Sequence, residues 1–119
     1  MFKRGVITDE ISQDIVEAAS LAKKYGLTGL EIRSVWEKGP HELEEADIQK
    51  IKETMNEYGL ECCGISAPFY KCDIDSEEEV RANIDILHKC IHLAKKLGTK
   101  YIRGFTFWKK GELSDYIDK

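Results

Sequence analysis

The segment GLTGLEIRSVW, residues 26–36, follows a helix-like run and has the pattern of a β-strand. Its apolar residues Leu30 and Ile32 alternate with two full charges, Glu31 and Arg33. A strand in a parallel sheet is normally covered on both faces, and its sequence is then almost continuously apolar. Charges at positions i and i+2 share a face, so this segment predicts that one face of the strand meets a polar interior. The inside of a barrel at its catalytic end is such an interior.

An arrangement of a helix end, a glycine, a short link and an apolar strand occurs three times in the chain. The three segments are LAKKYGLTGLEIRSV (21–35), TMNEYGLECCGISAP (54–68) and LAKKLGTKYIRGFTF (93–107). Their glycines are Gly26, Gly59 and Gly98. A residue just past a helix often adopts a left-handed conformation, which glycine reaches without a Cβ penalty. This self-similarity indicates a chain built from repeated helix–strand units.

Apolar periodicity predicts three helices and four strands in alternation. The helices are expected to begin near Ser12, Glu44 and Asp75 or Ser76, and the first two to end near Tyr25 and Tyr58. The buried stripe predicted for the third helix is Val80, Ile84, Leu87, Ile91 and Ala94. The predicted strands cover about 4–9, 29–35, 61–66 and 100–107. Leu113, Tyr116 and Ile117 predict the start of a fourth helix.

This alternation predicts an α/β fold with parallel pairing and right-handed crossovers. The 119 residues suit a single domain, 1–119. Two architectures fit the alternation equally well: a parallel β/α repeat that forms part of a barrel, and an open flavodoxin-like sheet. The sequence contains neither G-x-G-x-x-G nor G-x-x-x-x-G-K-[ST] to support a nucleotide or flavin in an open sheet.

Composition and charge exclude several classes of function. The chain is 42% hydrophobic and 34% charged, and its 18 basic and 22 acidic residues are interspersed, for a net charge of −4. A nucleic-acid-binding surface would show a basic patch, and no apolar run approaches the ~18 residues of a membrane span. We therefore predict neither partner. The N-terminal MFKRGVITDE lacks the apolar region of a secretion signal, so the four cysteines are expected to be reduced in a cytoplasmic protein.

Charged, polar and aromatic residues occur at the predicted carboxyl ends of the strands, where parallel α/β proteins bind their ligands. We select seven as candidate substrate-binding residues: Glu10, Glu31, Arg33, Trp36, Ser66, Arg103 and Trp108. Carboxylates accept hydrogen bonds from hydroxyl groups, arginine donates in a planar fork, and aromatic faces pack on sugar carbons. The set predicts a small polyhydroxylated substrate.

Structural roles stay open for the same residues. Glu31 could join Arg33 or Arg103 in a buried ion network that binds no ligand, although a buried pair is costly enough to need a reason. Trp36 and Trp108 could be ordinary packing residues.

The three histidines are weaker candidates. His88 and His92 lie four residues apart on the third helix but off its apolar stripe, so we predict that both are exposed rather than metal ligands. His41 follows a Gly-Pro pair in a loop and is expected at the surface. The sequence also contains no G-x-S-x-G nucleophile motif.

Four stretches together resemble the sugar phosphate isomerase/epimerase family, the xylose isomerase-like (β/α)₈ barrels. They are TDEISQD (8–14), LAKKYGLTGLEIRSVW (21–36), ISAPFYKCD (65–73) and LAKKLGTKYIRGFTFW (93–108). The G-x-E-x-R pattern of residues 29–33, after A-K-x-x-G, is the most specific of these signals. Such barrels have eight strands in about 250 residues. The resemblance therefore implies a (β/α)₄ half of a TIM barrel, the N-terminal half, truncated relative to the whole.

The resemblance also implies a chemistry. Epimerase-type members hold a divalent metal, Mn, Mg or Zn, with Glu, Asp, His and Glu. The metal polarises a ketose, and paired carboxylates move the proton next to its carbonyl. Those ligands come from later strands, so no metal ligand and no catalytic residue transfers to this chain. We expect this half to bind no metal and to be inactive alone, and its residues to form one wall of a site for a sugar or sugar phosphate.

Two further hypotheses accompany this one. The related apurinic endonucleases place zinc-binding histidines at early strand ends, where this chain has Ser66 and Thr106, so a DNA-repair function is disfavoured. The other hypothesis is a non-catalytic half-barrel that folds alone or pairs with a second copy. Exposed strand edges invite pairing, and a two-fold homodimer could close an eight-stranded ring.

Overall fold

The computed structural model describes residues 2–107 of the chain. Four strands alternate with three helices in this part, as the sequence predicts. The strands are β1 (Gly5–Ile7), β2 (Gly29–Ile32), β3 (Glu61–Ser66) and β4 (Ile102–Arg103), and the helices are α1 (Ile15–Lys24), α2 (Glu45–Glu57) and α3 (Glu77–Leu97). Short 3₁₀ helices follow β1, at Thr8–Glu10, and precede α2, at Pro40–Glu42. Trp108 and the predicted fourth helix lie outside the described residues.

The strands pair in parallel and in chain order, β1-β2-β3-β4. Leu30 lies opposite Cys62, and Ile65 lies opposite Ile102. Each strand is therefore added next to its predecessor, as in a β/α barrel, whereas a flavodoxin-like sheet has the order 2-1-3-4-5. The open flavodoxin-like alternative is wrong, and the fold is part of an α/β barrel.

Side-chain and glycine caps fix the ends of the helices. The side chain of Asp14 accepts a hydrogen bond from the amide of Val16 and caps α1, which therefore begins at Ile15 and not near Ser12 as predicted. Ser76 caps α3 through the amide of Glu79, as predicted. The glycines that follow the three helices, Gly26, Gly59 and Gly98, all have left-handed backbones with φ between 65° and 78°, which confirms their expected role.

Three strands are shorter than the sequence predicts. β1 ends at Ile7 because the following Thr8–Glu10 turns into a 3₁₀ helix. β4 has two residues, and the chain after it hydrogen-bonds to the loop that follows β3. The amide of Phe105 donates to the carbonyl of Phe69 at 2.9 Å, and the amide of Phe107 donates to that of Tyr70 at 3.1 Å. An apolar pattern alone cannot distinguish this loop pairing from a strand.

The hydrophobic core lies between the sheet and its helices. Leu30 and Ile32 of β2 are fully buried in it, as the alternation in the opening segment predicts. Burying a side chain of this size stabilises the fold by about 1.5–3 kcal/mol relative to leaving it exposed. The other large side chains that are almost fully buried are Ile15, Val35, Ile51, Ile65 and Leu93. Because helices cover this face of the sheet, polar side chains on β2 must project from the opposite face.

The buried face of α3 differs from the predicted stripe. Of the predicted stripe Ala94 is buried, but Ile84 and Ile91 are 39% and 36% exposed. The other buried residues of the helix are Asn83, Cys90 and Leu93. The helix carries apolar residues on two adjacent faces, and periodicity does not say which of them meets the sheet. In α2, Ile48, Ile51 and Met55 are buried and Tyr58 is partly buried.

Candidate functional site

A hydrogen bond joins two of the predicted site residues across neighbouring strands. The hydroxyl of Ser66, at the end of β3, donates to Oε1 of Glu31 on β2 at 2.7 Å. Gly64 lies opposite Glu31 in the sheet. A Cβ at position 64 would lie 3.6 Å from Cγ of Glu31, an ordinary van der Waals distance, so Gly64 lies directly beside the Glu31 side chain. Arg103 of β4 lies opposite Ser66, and the register thus places three predicted site residues on adjacent strands.

Arg33 is held by the segment that follows β1. Its Nε lies 2.8 Å from Oδ1 of Asp9, and its Nη2 lies 2.9 Å from Oε1 of Glu10. The hydrogen bond to Asp9, followed by that to Glu10, raises the pKa of Arg33 above its ordinary value, while desolvation opposes the rise. Within residues 2–107 no ion pair joins Glu31 to Arg33 or Arg103. The predicted alternative of an ion network through Glu31 is therefore wrong for these residues.

The loop after β2 makes a tight turn in a strained conformation. Val35 and Lys38 exchange backbone hydrogen bonds of 3.1 and 3.0 Å. Trp36 and Glu37 between them have left-handed backbones, with φ of 52° and 62°. A turn with both central residues at positive φ favours glycine or asparagine, so these two residues store strain of about 1–2 kcal/mol each.

Gln13, in the loop before α1, holds this turn in place. Its backbone carbonyl accepts from the amide of Trp36 at 2.7 Å. Its side-chain oxygen accepts from the hydroxyl of Ser34 at 2.9 Å and from the amide of Glu37 at 2.8 Å. The sequence does not indicate Gln13 as a site residue, because a contact across 24 residues of chain leaves no local pattern.

The side chain of Trp36 lies beside α2. Its ring is partly buried against the hydrophobic core, and Nζ of Lys50 lies 5.8 Å from the ring centroid. This location agrees with the packing role that the sequence left open for Trp36.

The loop after β3 and the segment after β4 form a cluster of three aromatic rings, which we call the aromatic clasp: Phe69, Tyr70 and Phe107. The Tyr70 ring lies 4.6 Å from that of Phe69 and 4.5 Å from that of Phe107, centroid to centroid. Tyr70 has a φ of 62°, and its amide donates to the buried side chain of Asn83 at 2.8 Å. A Cβ at Gly104 would lie 2.1 Å from the Phe69 ring. The clasp therefore fixes the two segments against each other.

A cleft of about 310 Å³ opens at the carboxyl ends of β2, β3 and β4. Three of the predicted residues line it: Arg33, Ser66 and Arg103. Its size is at the lower end of the range for small-molecule sites, about 300–1,000 Å³. Glu31 and Glu10 are linked to the cleft by hydrogen bonds to residues that line it. Glu31 accepts from Ser66, and Glu10 accepts from Arg33.

Residues outside the predicted set also line this cleft, above all Lys71, His41 and Phe105. Lys71 lies three residues beyond Pro68, in the loop that follows β3 and carries the aromatic clasp. Its position after a strand end is the sequence feature that could have identified it as a site residue. His41 is partly buried rather than at the surface, because the Pro40–Glu42 turn carries it between two clefts.

A second cleft, of about 750 Å³, lies between the Pro40–Glu42 turn, the start of α2, and α3. All three histidines line it. His88 and His92 are exposed, as predicted, and Nε2 of His92 contacts Oε1 of Glu45 at 2.5 Å. Within residues 2–107 no three His, Cys, Asp or Glu side chains are grouped so that they could hold a metal ion.

The four cysteines are free thiols. Burial raises the pKa of both Cys62 and Cys90 to about 11, and it also raises that of the exposed Cys63. A raised pKa keeps a thiol protonated and unreactive at neutral pH. Among the described residues, no helix is long and apolar enough to span a membrane.

Residues 19–117 match the sequence profile of the xylose isomerase-like TIM barrels. That match covers most of the chain. The sequence has no significant match among curated proteins.

Solved structures share the fold. The 3-keto-D-glucoside 4-epimerase of E. coli superposes with a TM-score of 0.68 at 19% identity, over 86% of this chain and 37% of the epimerase chain. A D-psicose 3-epimerase, crystallised in the presence of D-fructose, superposes with a TM-score of 0.64 at 17% identity, over 87% and 37% of the two chains. The chain thus spans little more than a third of these epimerases. Likeness at such low identity concerns the fold alone.

Proposed function

Because the chain belongs to the xylose isomerase-like TIM barrel family, we propose that it supplies the N-terminal half of a metal-dependent sugar isomerase or epimerase. The cleft at the ends of β2, β3 and β4 would be one wall of the sugar site. One observation carries this proposal: Arg33, Ser66 and Arg103, from three different strand ends, converge on a single cleft. In barrels of this kind the active site lies at that end of the strands.

The side chains of the cleft suit a polyhydroxylated ligand. The hydroxyl of Ser66 donates its hydrogen bond to Glu31, so its oxygen is left to accept a hydrogen bond from a sugar hydroxyl. Arg33 uses two N–H groups on Asp9 and Glu10, and its remaining donors and those of Arg103 can bind sugar oxygens. The ring of Phe105 offers an apolar face for sugar carbons.

The reaction moves a proton at the carbon next to a carbonyl. The described residues of this half bind and orient the sugar and screen it from water, and we assign them no proton transfer. A divalent metal would polarise the carbonyl and an adjacent hydroxyl when bound. The described residues include no group of three side chains that could hold such a metal. We place its ligands on the later strands of the whole barrel and expect this half to be inactive alone.

Sugar binding by the 119-residue chain tests the proposal. We expect a titration with D-fructose, followed by amide NMR, to shift the signals of Ser66, Arg103 and Phe105. The variant Arg103→Gln should weaken the shifts, and Arg81→Gln, on the exposed surface of α3, should leave them unchanged. Absent or scattered shifts would contradict a sugar-binding wall.

A catalytic assay addresses the second part of the proposal. We expect the purified chain with Mn²⁺ or Mg²⁺ to interconvert no ketoses above the buffer rate. Enzyme-like turnover by the chain alone would show that it holds a complete metal site, and the half-site proposal would be wrong.

One observation favours a second candidate, a half-barrel that pairs with a copy of itself. In the described sheet β1 and β4 are edge strands, and unpaired edges favour association. Two copies related by a two-fold axis would bring four strands each to a ring of eight. Sedimentation equilibrium discriminates between the candidates, because a chain that stays monomeric at high concentration does not form this dimer.

A further inference from the structure

One buried ring nitrogen at the candidate cleft has no hydrogen-bond partner. Among residues 2–107, Nδ1 of His41 is the one buried side-chain nitrogen or oxygen atom without such a partner. Buried polar groups are hydrogen-bonded in the large majority of cases, so an exception needs an explanation. His41 lines the cleft at the strand ends together with Arg33 and Ser66, and the function proposed above gives it no role.

Gly39 fixes the orientation of the His41 ring. A Cβ on Gly39 would lie 2.9 Å from Cε1 of His41 and 3.1 Å from its Nδ1. The ring edge that carries Nδ1 therefore occupies the space that a larger residue at position 39 would need. The His41 side chain is 25% exposed, and this exposure belongs to its other atoms because Nδ1 is buried.

The carboxylate of Glu42 lies near the other ring nitrogen of His41. The distance from Nε2 to Oε1 of Glu42 is 3.9 Å, which is too long for a direct hydrogen bond. The amide of Gly39 donates to the same oxygen at 3.0 Å and holds it in place. In a neutral ring, a proton on Nδ1 would be a buried donor without an acceptor, whereas a proton on Nε2 lies near a carboxylate. This arrangement favours the tautomer that carries its proton on Nε2.

The gap between this donor and this acceptor has the size of one oxygen atom. Hydrogen bonds have heavy-atom distances of about 2.7–3.2 Å, so an oxygen atom can lie within reach of both Nε2 of His41 and Oε1 of Glu42. A hydroxyl group satisfies both partners, because its oxygen accepts from Nε2 and its hydrogen is donated to Oε1. A carbonyl or ether oxygen has no hydrogen to donate and would leave the carboxylate unpaired.

We propose that His41 and Glu42, which both line the cleft at the strand ends, bind one hydroxyl group of the sugar and help to determine which sugars the cleft accepts. A site built to hydrogen-bond a hydroxyl group discriminates against an analogue that lacks it, because its polar groups are then left unpaired. The position of the ring against Gly39 keeps the donor in place before the sugar binds, which lowers the entropic cost of binding. This inference rests on the sugar-binding function proposed above.

NMR of the histidine ring nitrogens in the 119-residue chain tests the pair. At about pH 8, where an ordinary histidine is neutral, we expect His41 to show the Nε2–H tautomer and its Nε2 signal to shift when D-fructose is added. His88 is the control within the molecule, because it is exposed and lines the second cleft but not this one. Its ring signals should not shift.

The other outcomes of this titration separate the inference from the proposed function. A His41 ring that is protonated on Nδ1, or that does not respond while the amides of Ser66 and Arg103 shift, would overturn the inference and leave the proposed function standing. A response of His41 without those amide shifts would place the sugar in the second cleft and overturn the inference. No shift at any of these groups would refute the proposed function, and this inference with it.

Monodeoxy analogues of D-fructose identify the hydroxyl group that is bound. We expect one analogue to bind the parent chain about two- to tenfold more weakly than D-fructose, the range for one neutral hydrogen bond. This difference should shrink in His41→Phe, which keeps a ring beside Gly39 but has no ring nitrogen, and persist in the matched variant His88→Phe. Differences that are the same in His41→Phe as in the parent, for every analogue, would overturn the pairing.

Discussion

The hydroxyl of Ser66 donates a 2.7 Å hydrogen bond to the carboxylate of Glu31 across the β2–β3 pair. Ser66 is almost fully buried, at 2% exposure. The carboxylate of Glu31, on the polar face of the sheet, is thus hydrogen-bonded by the neutral hydroxyl of Ser66 and not by an arginine. Among residues 2–107 no lysine or arginine forms an ion pair with Glu31, and Ser66 itself lines the cleft.

Replacing Ser66 tests the strength of this bond. We expect Ser66→Ala to lower the free energy of unfolding by about 1–2 kcal/mol, because it removes a hydrogen bond to a charged group in a partly buried place. Urea unfolding measures the loss. Ser20→Ala, an exposed position on α1, is the control and should stay within about 0.5 kcal/mol of the parent. Equal stability of the two variants would mean that the Ser66–Glu31 bond contributes nothing.

Arg33 and Arg81 form ion pairs of very different quality. Arg33 bonds two carboxylates at 2.8 and 2.9 Å and is 33% exposed, whereas Arg81 lies 3.9 Å from Glu77 and is 82% exposed. We expect Arg33→Gln to destabilise the chain by about 1–2 kcal/mol, because Asp9 is left poorly solvated without its partner. Arg81→Gln should cost less than about 0.5 kcal/mol. High salt should reduce the difference only slightly, and a large reduction would contradict the partial burial of the Arg33 pair.

Glycine at position 37 relieves the strained turn. The φ of Glu37 is 62°, which glycine adopts without a Cβ penalty. We expect Glu37→Gly to raise the free energy of unfolding by up to about 1 kcal/mol, after the entropy that glycine adds to the unfolded chain is subtracted. Lys52→Gly, at an exposed position inside α2, should lower it by about 1 kcal/mol. Changes of the same sign in both variants would contradict the strain.

Two thiols, the partly buried Cys62 and the buried Cys90, make stability depend on alkaline pH. The pKa of Cys62 and of Cys90 is about 11 in the folded chain, against an ordinary value of 9.0. The unfolded chain therefore loses these protons first, so stability is full below about pH 9 and falls as the pH rises towards 11. We expect the double variant Cys62→Ala/Cys90→Ala to lose less stability between pH 8.5 and 10.5 than the parent does.

The pH slope is the quantity to compare in that experiment, because the alanines also remove packing contacts. Cys63→Ala, at an exposed thiol, should retain most of the parent slope. A double variant whose slope equals that of the parent would place the alkaline sensitivity in other groups.

Local sequence patterns predicted the helices and strands of the fold. Features that depend on long-range contacts could not be predicted from them. Leu30 and Ile32 revealed the helix-covered face of β2 because a strand alternates with period two. The rotation of α3 could not be predicted, since two adjacent faces of that helix are apolar and only the packed sheet selects one.

The candidate site was predicted to a similar extent. Arg33, Ser66 and Arg103 could be selected because parallel strands present their carboxyl ends at one edge. Gln13 could not, because it acquires its role from hydrogen bonds to the distant turn after β2. The sequence also indicated Glu31 and Arg33 as site residues without indicating that each has a different hydrogen-bond partner.

The order of the sheet has a consequence for how the chain reaches its structure. Each strand from β2 to β4 hydrogen-bonds to the strand that precedes it in the chain. Every strand pair in the described sheet therefore joins strands that are consecutive in the sequence. Loop closure between successive strands then involves short stretches of chain at every step, which keeps its entropic cost small. A polypeptide emerging from the ribosome can therefore add each β/α unit to a surface that is already folded, and synthesis and folding can proceed in the same direction.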